Sequence, residues 1–354
     1  MAVISFKCPN CDGELIFDPN TQAYKCEYCG SDFTQEQLDA MKPAESTEQV
    51  AEPQQEDTTE EKEESEAVFY SCPSCGAEVV TEATTAATFC YYCHNPIVLG
   101  RRLEGDYLPD KVIPFRIDRK EAEKRFLEYV GTKKFVPKAF FDKKQIACLS
   151  GVYFPYWMYD TDLEGSMNAE AKSIRTWVAG NEEFTETKQF AIERAGKVQL
   201  RHLTENALQK SNAKLASGVM PYKFEDMKDF TMGYLSGFLA ERRDIEQAAV
   251  AGKMQGEMRQ QAEHMMRDTI KGYGSVHVRS SNFNPKSEKW SYVLLPVWTV
   301  TYKGRNGKMY YYSMNGQTGN VCGELPIDKK KVALTSLITG LVVFAAALIG
   351  GFFL

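Results

Sequence analysis

Eight of the ten cysteines fall into two matched sets, and no other feature narrows the possible folds as much. Cys8-Pro-Asn-Cys11 and Cys26-Glu-Tyr-Cys29 are separated by fourteen residues. Cys72-Pro-Ser-Cys75 and Cys90-Tyr-Tyr-Cys93 repeat that arrangement 64 residues later, with the same separation. Each CxxC is a tight turn that aims two sulfurs at one point, and two such turns complete a tetrahedral four-sulfur site. The spacing therefore predicts two small ribbons with two structural Zn2+ ions: Cys8, Cys11, Cys26 and Cys29 on one, Cys72, Cys75, Cys90 and Cys93 on the other. Modules this short bury too little surface to fold alone, so the metal must supply folding energy. Four thiolates leave no open coordination position, which argues against catalytic zinc. His94, beside Cys93, is surplus to the set. In the first ribbon Glu14–Phe17 and Gln22–Lys25 read as strands, with Asp18-Pro19-Asn20 as the turn.

The other end of the chain sets its surroundings. Val332–Leu354 is 23 residues without a charge or a proline, preceded directly by Lys329-Lys330-Lys331. As a helix it is about 34 Å long, enough to cross a hydrocarbon core of roughly 30 Å. Basic flanks stay on the cytoplasmic side. The expectation is a tail-anchored, single-pass protein of the cell membrane with the bulk of the chain cytoplasmic. MAVISFKC at the N-terminus has neither the basic nor the apolar region of a secretory signal. In a reducing compartment the cysteines are thiols or metal ligands rather than disulfides.

The fold class read from these features is α+β: two zinc ribbons, a mixed β-rich body with a helical insertion, and one C-terminal transmembrane helix. The expected units are ribbon one at 1–35, an acidic linker at 44–67, ribbon two at 68–100, a body at 101–328 and the anchor at 332–354. The linker holds ten acids against Lys62 alone and has almost no large apolar residue, so it should be disordered. It serves either as a flexible arm for ribbon one or as a plain spacer. In the body, Asp118-Arg-Lys-Glu121 resembles a capping box, followed by Ala122, Phe126, Tyr129 and Val130 at helical spacing. Strand-like runs follow at Gly151–Asp160, Met167–Thr176, Phe184–Arg194, Lys197–His202, Tyr292–Tyr302 and Lys308–Met314. Met254, Met258, Ala262, Met265 and Ile270 form an apolar stripe on a helix from Asp244 to Ile270, read as a core face rather than a partner groove. Val152–Trp157 and Val293–Trp298 share the pattern Pro-x-Trp. That echo suggests two related β units flanking a helical insertion at 203–271, with each proline at an edge or a bulge.

Nothing points to catalysis. G-x-x-x-x-G-K-[ST], HExxH and G-x-S-x-G are absent, and His94, His202, His264 and His277 share no ligand spacing. Cys148 and Cys322 read as buried, inert thiols, and Asp160 and Asp162 as a solvated strand end. The chain is expected not to be an enzyme. A net charge of −6 offers no nucleic-acid footprint, and residues 5–34 carry two lysines against five acids.

The two ribbons, GVYFPYWMYD at Gly151–Asp160, YLSGFLAE at Tyr234–Glu241 and SMNGQTGNVCGELPIDKKK before the span resemble bacterial TFIIB-type zinc-ribbon-containing membrane proteins. Relatives of these are sometimes labelled primosomal replication-helicase-like. The resemblance covers most of the chain outside the linker. It implies company with SPFH-domain, PspA-like and TPM-domain proteins in an envelope-stress, phage-shock-like complex. The leading reading is thus a non-enzymatic, membrane-anchored zinc-ribbon scaffold that recruits cytosolic partners. The runner-up is a nucleic-acid-binding zinc-ribbon protein associated with replication or transcription. A redox role for the CxxC pairs stands third, because ligation to metal blocks thiol exchange.

Overall fold

The computed structural model describes residues 6–41, 68–72, 78–90, 95–137, 140, 143–209, 218–303 and 308–352. The expected linker at 44–67 and residues 304–307 lie outside them. The N-terminal unit holds β1 (Leu15–Asp18), β2 (Ala23–Cys26) and β3 (Asp32–Phe33) in one antiparallel sheet, then a short helix α1 (Gln35–Met41). Next come β4 (Val68–Ser71) and β5 (Glu78–Thr81), which pair with each other, and the hairpin of β6 (Thr85–Phe89) and β7 (Pro96–Val98). The body adds β8 (Lys111–Val112), α2 (Arg119–Gly131), α3 (Lys143–Ala147), β9 (Ser150–Ala179), β10 (Glu182–Asn206), β11 (Lys228–Asp229) and β12 (Leu239–Glu241). It closes with α4 (Gln247–Arg267), β13 (Ser275–Lys303), β14 (Met309–Asn315), β15 (Val321–Glu324) and the terminal helix α5 (Lys329–Phe352). The result is mixed α+β with a dominant β body.

Ten strands form one sheet, ordered β11-β8-β13-β9-β12-β6-β7, with β10 on β9 and β14-β15 on β13. The hairpin β6–β7 is part of it through β12. The expected boundary at residue 100 therefore cuts a continuous sheet. The runs expected as separate strands are merged in pairs into β9 and β10, and Tyr292–Tyr302 is only the end of β13. Of these, β9 has 30 residues and β13 has 29, antiparallel along most of their length. At about 3.3 Å per residue each is nearly 100 Å long.

The Pro-x-Trp echo has a physical basis. Pro155 and Pro296 sit in central strands, not at an edge or a bulge. On its outer side β9 pairs with β12, in parallel, at Val152 and Tyr153, then with β10, antiparallel, from Tyr156 onward. On its outer side β13 pairs with β8, in parallel, at Val293 and Leu294, then with β14, antiparallel, from Val297. Each proline occupies the gap where one neighbour ends and the next begins, so its missing N–H removes no ladder bond. Its carbonyl is still used: Pro155 O accepts from Ala207 N at 3.0 Å, and Pro296 O from Gly316 N at 2.8 Å. The tryptophans are equivalent as well. Trp157 Nε1 donates to Ile245 O and Trp298 Nε1 to Ile117 O, both at 2.9 Å. Each acceptor lies just before an N-cap residue, Glu246 of α4 and Asp118 of α2. Apart from the short α3, the order strand–helix–strand–strand thus occurs twice, and each long strand holds the start of the other unit's helix.

Helix α4 buries Val250, Met254, Met258, Ala262 and Met266 on the sheet. Its stripe is core, with Met266 in the place expected for Met265, which is exposed. Asp118 caps α2 by accepting from Glu121 N at 2.8 Å. The Glu121 carboxylate turns to Arg125 instead of returning to the cap, so only half of the expected box forms.

Candidate metal centre

Two knuckles of the same form build the first cysteine site. Cys8 N donates to Gly13 O at 2.6 Å and Cys26 N to Ser31 O at 2.9 Å, five residues on in each case. Asp12 N returns to Cys8 O and Gly30 N to Cys26 O, both at 2.9 Å. These closing residues have φ of 58° at Asp12 and 75° at Gly30, the left-handed region that glycine and aspartate tolerate best. The knuckles bring four sulfurs together: the Sγ atoms of Cys8, Cys11, Cys26 and Cys29 all lie within 4.8 Å of one another. Cys8 and Cys29 are 3.6 Å apart, Cys11 and Cys26 3.5 Å. A tetrahedral centre with metal–sulfur bonds of roughly 2.3 Å has edges of about 3.8 Å. The cluster is already near that size, so the residues fit a single ion. Gly13 closes one side, where a Cβ would stand 3.2 Å from Cys26 Sγ and 3.3 Å from Cys11 Sγ.

The electrostatics suit a cation. Ser31, through its side chain and its backbone N–H, stabilises the Cys29 thiolate and holds its pKa down at about 6. Gly13's backbone pulls Cys11 down, but hydrogen bonds to the neighbouring thiols and desolvation push it up to about 12. With protons alone, the four sulfurs cannot all be thiolates at neutral pH. A cation that replaces those protons removes the conflict.

This site is clamped to the body, which overturns the flexible-arm expectation for the first ribbon. Leu15, Phe17, Tyr24, Cys8 and Cys26 share one continuous core with Phe115, Tyr153 and Trp298. The receptacle is the segment Gly233–Phe238. Phe17 N donates to Ser236 O at 3.1 Å, and the Ser236 hydroxyl donates to Leu15 O. The Phe17 and Tyr234 rings meet edge-on, with centroids 5.2 Å apart. A Cβ on Gly237 (φ 89°) would come within 2.4 Å of Ile16 Cγ2, and one on Gly233 within 2.5 Å of the Tyr24 hydroxyl. Asn20 Nδ2 also donates to Asp118 and Gln22 Nε2 to Phe115 O. Sequence reading missed these partners; the two glycines of GYLSGF, Gly233 and Gly237, were the only trace of so close an approach.

For the second set, Cys75, Cys93 and His94 lie outside the described residues. Cys72 and Cys90 are buried together with Tyr70, Val79, Ile97 and Leu99. Cys90 N donates to Asn95 O at 2.9 Å, the same five-residue closure found at Cys8 and Cys26.

Other flagged residues have structural partners or differ from expectation. Asp162 pairs with Arg201 and accepts from Ser287, and Asp160 accepts from His202 N where β10 bulges. Cys148 is exposed and Cys322 half-buried, against the expectation of two buried thiols. His202 stacks on Phe224, with centroids 4.4 Å apart.

Helix α5 is long and apolar enough to cross a membrane, and none of its apolar window is buried among the described residues. Asp328 accepts from Lys330 N and Lys331 N, so the helix starts three residues before the apolar run and takes in the lysines.

No family model matches this chain and no solved structure matches it. A protein of Bacillus subtilis (strain 168) that bears the description "Uncharacterized protein YdjG" is 31% identical over 331 residues. The match covers 94% of this chain and 92% of that one.

Proposed function

The chain belongs to the family of the Bacillus subtilis protein YdjG, and on that premise we propose that it is a non-enzymatic, membrane-anchored scaffold built on zinc ribbons. Helix α5 holds it in the cell membrane as a single-pass tail anchor, with the body on the cytoplasmic side. Zinc is the ion the four-thiolate sets hold, one for each set. The body and its clamped ribbon present a rigid surface to cytosolic partners. The resemblance to TFIIB-type zinc-ribbon proteins supports SPFH-domain, PspA-like or TPM-domain proteins as those partners, in an envelope-stress setting.

The observation that carries this reading is the pairing of a four-sulfur cluster, locked onto the body, with a terminal helix that the other described residues leave uncovered. A bare apolar helix of this length needs lipid around it. Purification of the full chain from native membranes, beside a Cys8→Ser/Cys11→Ser variant, tests the scaffold role. The variant should stay in the membrane and lose part of the partner set. Identical partner sets would remove the first ribbon from recruitment.

A further inference from the structure

Past Lys172, where β13 begins its pairing at Ser275, β9 and β10 run on alone to a turn at Gly180-Asn181. Among the described residues β10 pairs only with β9, so its outer edge is open. The two outer edges of this arm differ. On β13 the register is broken at Val278/Ser280 and again at Pro285/Ser287, with a proline at the second break. Bulges and prolines are the usual means of blunting an edge against further pairing. From Glu182 to Leu200 β10 has neither, and its residues 182–191 are exposed except for the half-exposed Glu186.

Apart from Lys188, which pairs with Glu186, and Glu193, the charges along that edge from 182 to 201 fall into two blocks. Glu182, Glu183 and Glu186 lie near the turn; Arg194, Lys197 and Arg201 lie toward the body. Laid antiparallel on a copy of itself, the strand sets the acidic block on the basic one.

We propose that this edge is a self-association surface: β10 adds to β10 of a second copy, antiparallel, about a two-fold axis at Phe190. In that register Glu186 faces Arg194 of the second copy and Glu183 faces Lys197, each twice by symmetry. Lys188 faces Ile192, Glu193 faces Thr187, and no like charges meet. Phe184, 41% exposed, faces Gly196, whose Cβ direction is open. Phe190, 38% exposed, meets its own copy on the axis. Other registers lose this match. Centring one residue later sets Lys188 against Arg194, and centring on Lys188 sets it against itself and Glu183 against Glu193. Directly opposed like charges disfavour a strand pair, and opposite charges support it. The contact is isologous, so it closes at two copies rather than growing into a fibre.

The product is a six-stranded ribbon, β13-β9-β10 continued into the second copy's β10-β9-β13. Ala171 faces Phe190, and Ser150 lies 21 residues further along β9. The bodies therefore sit at opposite ends, about 70 Å from the axis. The inference does not rest on the metal or on the anchor.

Sedimentation equilibrium of the full-length chain in detergent tests it with Glu186→Arg and Arg194→Glu. Wild type should dimerise, and each single variant should weaken the dimer at least tenfold. An equimolar mixture of the two should recover wild-type affinity, because the arginine introduced at position 186 of one copy then faces the glutamate introduced at position 194 of the other. The double variant should recover it as well. Association through α5 would be indifferent to these charges, and a misfolded variant would not be rescued by mixing. A monomeric wild type, unchanged single variants, or a mixture no tighter than either single variant would each overturn the proposal.

Discussion

Asp118 uses both carboxylate oxygens: one accepts from Glu121 N and caps α2, the other accepts from Asn20 Nδ2 on the first ribbon, both at 2.8 Å. The Glu121 backbone bond holds its pKa below the usual carboxylate value, with Asn20 adding to the effect. A pKa depressed by folding gives stability that is present above the unfolded value, near 4, and is lost as pH falls through the folded value. Asp118→Ala should cost about 1 kcal/mol at pH 7 in urea unfolding, a typical loss for an N-cap. The gap to wild type should shrink below about pH 4, and a constant gap would contradict the assignment. Asp118→Asn keeps an acceptor for Glu121 N and should fall between the two. Arg243 is a second such residue. It is 4% exposed, lies over the rings of Tyr107, Trp157 and Tyr292, pairs with Glu246 and donates to Asp106 O. Because Glu246 is largely exposed, Arg243→Met should cost roughly 2 kcal/mol, below the range for a fully buried pair. Arg243→Lys should not restore it, since an ammonium lacks the planar fork that reaches two acceptors at once.

At the scale of elements, the contact between the first ribbon and Gly233–Phe238 can be separated from metal binding. Gly237→Val puts a side chain where Ile16 stands, at a φ of 89°. The Phe17 amide, bonded to Ser236 O, should then exchange hydrogen at least tenfold faster while the bound metal stays constant. Unchanged exchange would mean that the ribbon is not held there. The elements also show what a sequence can reveal. The first cysteine set was legible because ligand spacing is a local constraint within one ribbon. The amphipathic face of α4 was legible too, and only its drift at 3.6 residues per turn exchanged Met265 for Met266. The long strands were read as fragments because past Leu163 their covered side is lined by small or flexible residues, Gly165, Met167, Ala169 and Ala171. From Ser173 to the turn the arm has no core side at all, so hydropathy carries no strand signal there. The ribbon's docking was illegible for another reason: Leu15 and Ser236 are 221 residues apart.

At the scale of the whole molecule, none of the other described residues covers the apolar window of α5. Ending the chain after Asp328 should move it from the membrane pellet to the soluble fraction, with its thermal unfolding midpoint unchanged within a few degrees. A truncated chain that still pellets with membranes would contradict the anchor. The scaffold reading depends most on sulfur holding metal in both cysteine sets. Metal quantification by mass spectrometry on the full chain, purified without added metal, tests that claim directly. Close to two zinc ions per chain are expected, falling by one in Cys8→Ser/Cys11→Ser. Well under one zinc per chain, or the same content in that variant, would contradict it.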